Sequence, residues 1–305
     1  MSIALVQTGS VVAATSAGDP ICALGSSVTL GNTILIAVAY DGNDGGGVPT
    51  VTDNLGNTYG LVKSYVNTIP PGPSVTSLAV LAAPVTTSGT PSAITVSMGG
   101  ARGGVVAFEY SGLNNSSLLD QFDEITAASG TSLTTPGITT LSASELLFAV
   151  GASLGGGATP TFVAGSGYTM QVQGAANPAG WMGVEDQIVS STGSYNASMS
   201  GMTSGDFNSL LLVTLKAAPA ATYSISGNSG MPGATVTWSG TSSGSLTANA
   251  DGSYSIPTLS PGSYTVTVTR TGYNFSAPQS VTITSSNVTG TNFAATNPRA
   301  GFSIG

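Results

Sequence analysis

GATVTWSG at 233–240, continued by ADGSYSIPTLSPGSYTVTVTRTGYNFSAPQSVTIT at 250–284, alternates apolar and polar residues in short runs. The runs are broken by Asp251-Gly252, Pro261-Gly262 and Thr271-Gly272. Such pairs form tight turns, because proline presets φ and glycine accepts positive φ. Two-residue alternation between turns marks strands with one buried face, so this stretch reads as a small β-sandwich. It holds no nucleophile and no acid–base constellation. A scaffold of this kind extends or displays something, which points toward assembly or adhesion.

Composition extends that reading to the whole chain. Five basic and thirteen acidic residues are spread over 305 positions, and there is no histidine. The missing imidazole removes the commonest general base, metal ligand and pH switch. A Ser-His-Asp or Cys-His nucleophile cannot be assembled. A net charge of −8 excludes nucleic acid as a partner, since phosphates need lysine and arginine. At 41% hydrophobic the chain has enough apolar surface for a core. Lys and Glu are scarce while Val, Thr, Ser, Gly and Tyr abound, so the expected fold is all-β. The length suits two domains of about 100–200 residues each.

Cys22, in the apolar segment PICALG, reads as a small buried hydrophobe, and as the sole cysteine it forms no intramolecular disulfide. The first basic residue is Lys63, and IALVQTGSVVAAT at 3–15 alternates like a strand, so no export signal is read there. No stretch reaches the about 20 apolar residues of a membrane span, and no membrane insertion is expected.

Residues 1–218 read as the larger domain, KAAPAAT at 216–222 as a short linker, and 222–294 as the second domain. The tail 295–305 is left either frayed or docked on a neighbour as an added strand. Strands are expected at 3–7, 33–40, 59–66, 75–82, 93–98, 105–110, 145–152, 168–173, 182–189, 195–200 and 210–216. TILIAVAY, VVAFEY and ELLFAVGA are nearly continuous apolar runs. Such runs belong to central strands packed on both faces or facing a subunit contact. Residues 116–127 (SSLLDQFDEITA) read as a short helix or turn with Ser116 or Ser117 as N-cap. About eleven strands in this span suit a two-sheet jelly roll.

The acidic residues offer three candidate sites. Asp41 and Asp44 in YDGNDGGG, with Asp53 nearby, are spaced like the start of a calcium loop, but no closing glutamate follows and the same residues are ordinary turn formers. The turn reading is preferred, and no metal or cofactor is expected. Asp120, Asp123 and Glu124 cluster in LLDQFDEI, where a paired-carboxylate glycosidase is weighed against solvated acids at a turn. Glu185 and Asp186 lie within a strand, so their side chains take opposite faces. Trp181 and Trp238 are weighed as sugar-stacking platforms against core residues. Arg102, among glycines in GGARGG, reads as a loop charge or an inter-subunit ion pair.

GATVTWSG, ADGSYSIPTLSPGSYTVTVT and GYNFSAPQSVTIT, closed by TNFAA, resemble the carboxypeptidase regulatory-like family, a transthyretin-like or immunoglobulin-like β-sandwich. The resemblance implies that Tyr254, Leu259 and Tyr264 are core and that Asp251-Gly252 and Pro261-Gly262 are turns; it imports no peptidase activity. VTDNLGNTYGLV, VVAFEYSGL and SELLFAVGA are similar to segments of jelly-roll domains of phage virions and secreted bacterial proteins.

The expected architecture is a jelly-roll-like β-sandwich followed by a small immunoglobulin-like sandwich. The expected role is a non-enzymatic structural protein of a bacteriophage virion, a capsid decoration or a tail or head appendage. The expected partners are other virion proteins and further copies of the chain, a trimer first by analogy with jelly-roll particles. The alternative is a secreted or cell-surface bacterial adhesin that binds carbohydrate.

Overall fold

The computed structural model describes residues 2–14, 18–42, 47–66, 76–127, 130–154, 159–177 and 180–298. The chain divides into two compact units, Met1–Ala218 and Pro219–Gly305. All regular structure among the described residues is β, as composition implied, and no helix there is long and apolar enough to cross a membrane.

The first half of the larger unit supplies β1 (Ala4–Thr8), β2 (Val12–Ala14), β3 (Ile21–Cys22), β4 (Thr33–Asp41), β5 (Thr50–Asp53), β6 (Gly60–Tyr65), β7 (Thr76–Pro84), β8 (Ile94–Ser97) and β9 (Gly103–Ser111). The second half supplies β10 (Leu119–Ala127), β11 (Ser132–Thr134), β12 (Ile138–Thr139), β13 (Glu145–Leu154), β14 (Thr169–Asn177), β15 (Gly180–Val189), β16 (Ser194–Tyr195), β17 (Ser198–Ser200) and β18 (Phe207–Lys216). One antiparallel sheet runs β1-β9-β4-β7-β6, with β2 also on β9; the other runs β10-β18-β13-β15-β14.

The sheets pack face to face. Leu35, Ala37, Val106 and Phe108 of the first meet Phe148, Val150, Leu211 and Val213 of the second in one core. The outward faces are covered too. Ile34, Ile36 and Val38 lie under the small sheet β3-β8-β5. Leu147, Ala149, Leu210 and Leu212 lie with Leu133 and Met199 of the overlying ladder β11-β17, beside β12-β16, and with Phe162. Each central strand is therefore buried on both faces, which is why TILIAVAY and ELLFAVGA do not alternate.

A sandwich was expected, and its lacing is distinctive. A jelly roll passes its strands back and forth between sheets; here each sheet is one continuous half of the unit. The segment expected as a helix or turn at 116–127 is largely the strand β10, which pairs with β18 from Leu119 to Ala127. Its helix-like acid spacing loses to the long ladder that β18 offers, a partner invisible to any local window.

The smaller unit supplies β19 (Tyr223–Asn228), β20 (Thr235–Gly240), β21 (Gly244–Thr247), β22 (Ser253–Leu259), β23 (Gly262–Thr269), β24 (Asn274–Phe275), β25 (Gln279–Ile283) and β26 (Ala295–Thr296). A four-stranded sheet runs β21-β20-β23-β25, and β19 pairs with β22. Tyr254, Leu259 and Tyr264 are buried with Ile225, Val236 and Phe293. Gly252 takes φ 83 behind Asp251, whose Oδ1 accepts the Ser253 amide at 2.9 Å. β26 pairs with β24, so Ala295 and Thr296 belong to the sandwich rather than to a tail, while Arg299–Gly305 lie outside the described residues.

The Tyr254 hydroxyl, buried, donates to the Thr291 carbonyl at 2.6 Å. Tyr254→Phe leaves that carbonyl unpaired and lowers the stability of this unit by about 1–2 kcal/mol. Thermal melting followed at Trp238 reads it; an unchanged melt would show that the bond contributes nothing.

Candidate functional site

Carboxylates are the only abundant chemistry-bearing side chains, and the structure shows what most of the described ones hold. Asp53 ends β5 and organises the turn after it. Its Oδ1 accepts the amides of Leu55 and Asn57, both at 3.0 Å; its Oδ2 accepts Asn57 Nδ2 at 2.8 Å and the Tyr59 hydroxyl at 3.0 Å. Glu109, fully buried on β9, accepts Asn32 Nδ2 at 2.6 Å, Gln7 Nε2 at 2.7 Å and the Thr29 amide at 2.8 Å. Hydrogen bonds rather than cations satisfy these acids, as a buried charge requires.

The densest group lies on the outer face of the second sheet. Asp120 accepts the Leu141 amide at 2.7 Å and Asp123 the Gly137 amide at 2.6 Å. Glu145 accepts the Ser142 amide at 3.2 Å, and Glu185 the Gly165 amide at 2.9 Å. Four carboxylates thus pin the covering segments to β10, β13 and β15. Burial pushes the Glu145 carboxyl up to about 7, helped by its hydrogen bond to Asp120 and that neighbour's charge. As a carboxylate, Glu145 leaves Oε2 without a partner; as the acid it donates to Asp120. Glu185 also rises to about 7 through burial and the charge of Asp186, while the amides of Gly165 and Ser198 pull the other way.

The acids singled out from sequence separate. Asp120 and Asp123 lie under the covering segments, but strand alternation sends Glu124 away, to Lys63 Nζ at 3.7 Å. The partner of Asp120 is Glu145, at the head of an apolar run and 0% exposed, so no glycosidic oxygen reaches it. Glu185 and Asp186 do take opposite faces. Asp186 enters the space between the sheets, where the Tyr110 hydroxyl donates to it at 2.5 Å and Gln171 Nε2 at 2.7 Å.

Of the calcium candidates, Asp44 lies outside the described residues, Asp41 is buried and Asp53 is saturated by the turn it holds. No group of three metal-ligating side chains occurs among the described residues. Arg102, read as a loop charge or an inter-subunit ion pair, makes an ion pair within the chain, to Asp41 at 3.4 Å. Trp181 is half-buried against the outer core of the second sheet; Trp238 packs at the edge of the smaller core, with its Nε1 buried and unpaired. Burial lifts the Cys22 thiol to about 12, so it stays protonated and unreactive. A groove of about 500 Å³ beside β6 is lined by Tyr59, Leu61, Val62, Ala82 and Leu119. No position in the sequence signalled it.

The smaller unit carries one acidic side chain, Asp251, and one basic, Arg270, between residues 223 and 296. Both sit on a seven-strand scaffold of alternating Tyr, Val, Ile and Thr, closed by β26. Residues 223–296 match the carboxypeptidase regulatory-like domain family. The match ends at Thr296, where β26 ends, so the regulatory-like domain extends past the boundary expected at 294. No curated protein matches the chain. In the regulatory-like domain Asp251 holds the turn at Ser253, whose hydroxyl and amide draw its carboxyl below the usual range.

Asp53→Asn places an amide against the Asn57 amide and the Tyr59 hydroxyl. It lowers the stability of the larger unit by about 1–3 kcal/mol. A denaturant titration followed at Trp181 checks this, and a midpoint equal to that of the unaltered chain would contradict it.

Proposed function

We propose that this chain is a non-enzymatic structural protein of a phage particle, a capsid decoration or a tail or head appendage that displays a regulatory-like domain. One observation carries the reading: Asp53, Asp120, Asp123, Glu145 and Glu185 of the larger unit hold covering loops and turns in place instead of converging on an open cleft. Rigid, thinly charged sandwiches suit dense subunit packing, because few ions need desolvating when surfaces meet. The regulatory-like domain supports the display half of the reading, since its alternating strands carry scaffold and no acid–base pair. Self-association into a homo-oligomer is part of the proposal.

Sedimentation of the purified chain, alone and with intact particles from its source, tests this reading. It predicts an oligomer that co-sediments with particles. A stable monomer without affinity for any particle contradicts it. Glycan-array binding that is lost on Trp181→Ala would place the chain among surface carbohydrate-binding adhesins instead.

A further inference from the structure

Apart from β2, the two sheets of the larger unit repeat one another strand for strand. In each, the first main strand of the half lies at one edge, followed by the fifth, second, fourth and third: β1-β9-β4-β7-β6, then β10-β18-β13-β15-β14. Two register slips recur as well, while a third, between Ala175 and Asn177 of β14, has no counterpart. β1 slips register on β9 between Leu5 and Gln7, as β10 does on β18 between Leu119 and Gln121. β6 slips on β7 between Leu61 and Lys63, as β14 does on β15 between Met170 and Val172. Bulges persist within families of related folds. Two on corresponding ladders have no reason to coincide in unrelated halves.

The covering segments correspond too. Ile21 and Cys22 pair with Thr95 and Ile94, as Leu133 and Thr134 pair with Met199 and Ser198. The Val28 amide donates to the Gly89 carbonyl at 2.8 Å, as the Thr140 amide does to that of Gly193 at 3.0 Å. Between these points run VTTSGTPSA at 85–93 and VSSTGSYNA at 189–197. Valine, glycine and alanine keep their spacing, and Ser and Thr exchange at four positions.

The halves meet as a two-fold pair would. Phe108 of one packs edge-on against Phe148 of the other, with centroids 5.2 Å apart. The third strand of each half lies toward the start of the other. Lys63 of β6 sits over the Phe122 ring of β10 at 3.4 Å and reaches Glu124, while Gly174 of β14 lies against Val11, just before β2. In a two-fold interface each partner uses the same patch, which must be complementary to itself.

We infer that the larger unit is a fused dimer, two copies of one domain joined through 112–118, and that the inner apolar face of each half is an interface fitted to a second copy. In the intact chain the other half occupies that face. The partner it also fits is the corresponding half of another molecule of this chain, which gives the protein a route to self-association by exchange of halves.

A protease site inserted between Ser116 and Ser117, both exposed, allows the full chain to be cut between its halves after folding. Heavy- and light-isotope preparations are cut, mixed, carried to the middle of the denaturant transition, returned, and read by native mass spectrometry. The expected result is same-half pairs, first with first and second with second, beside the original first-with-second complex. First-with-second pairs alone, after complete label exchange, overturn the inference. Where the cut chain does not reassemble, uncut heavy and light chains pass through the same cycle and are treated with a carbodiimide, which joins Lys63 to Glu124 across the halves. A heavy-with-light product of twice the monomer mass that has lost the Lys63–Glu124 crosslink is expected; a product of monomer mass, or a dimer that keeps this crosslink between labels, overturns it.

Discussion

Phe148→Ala lowers the unfolding free energy of the larger unit by about 3–5 kcal/mol, the usual cost of removing a fully buried ring from a packed core. The ring is 0% exposed and lies between the two sheets. It meets Phe108 edge-on at 5.2 Å and Tyr110 at 6.2 Å, contacts worth about 0.5–1.5 kcal/mol beyond burial. Both sheets are clamped from outside by their own covering ladders, which limits how far they can collapse into the space. Each unit has one tryptophan, so a Trp238→Phe background leaves Trp181 as the reporter of this unit alone. A loss under about 1 kcal/mol would show that the two sheets are not held by this core.

Acidification stabilises this protein between neutral pH and about pH 5. Glu145 and Glu185 rise from 4.5 to about 7 on folding. Below 4.5 both states hold these protons and the groups contribute nothing. Between 4.5 and 7 the unfolded chain has released them while the native chain keeps them, so stability falls as pH rises. Above 7 the full penalty is present, at most about 3 kcal/mol for each group. Melting temperatures at fixed ionic strength are therefore expected to drop from pH 5 to pH 8. Glu185→Gln, which keeps the shape and removes the charge, raises the melting temperature at pH 8 and flattens the slope. A melting temperature that is flat or rises over this range contradicts the assignment.

Much of the fold was legible because its signals are local. The apolar runs at 33–40, 105–110 and 145–152 read as central strands packed on both faces or facing a subunit contact, and covering ladders supply the second face. The turns at Asp251-Gly252 and Pro261-Gly262 fell where the regulatory-like domain has them. β10 was not legible, because LLDQFDEI carries acids at helical spacing and only its pairing with β18 makes it a strand. The repeat was hidden for a related reason. Loops of unequal length shift the two halves against each other, and short stretches such as 85–93 against 189–197 keep their spacing.

Of the site, the three acids of β10 were visible but their partners were not. Asp120 meets Glu145 because β18 brings β10 and β13 into one sheet, which no spacing along the chain reveals. The one available signal was a glutamate heading an otherwise apolar strand; such a charge must be neutralised or bonded when buried. Arg102 was conspicuous for the scarcity of bases, and its partner Asp41 lies at the far end of β4, adjacent only through the β4-β9 ladder.

Cryo-electron microscopy of particles from the native source, with this chain located by a bound antibody fragment, tests the central claim most directly. The structural account predicts copies at regular positions on a capsid or tail, with the regulatory-like domain outermost. Particles that carry none of it, beside free chain in the surrounding medium, would contradict that account.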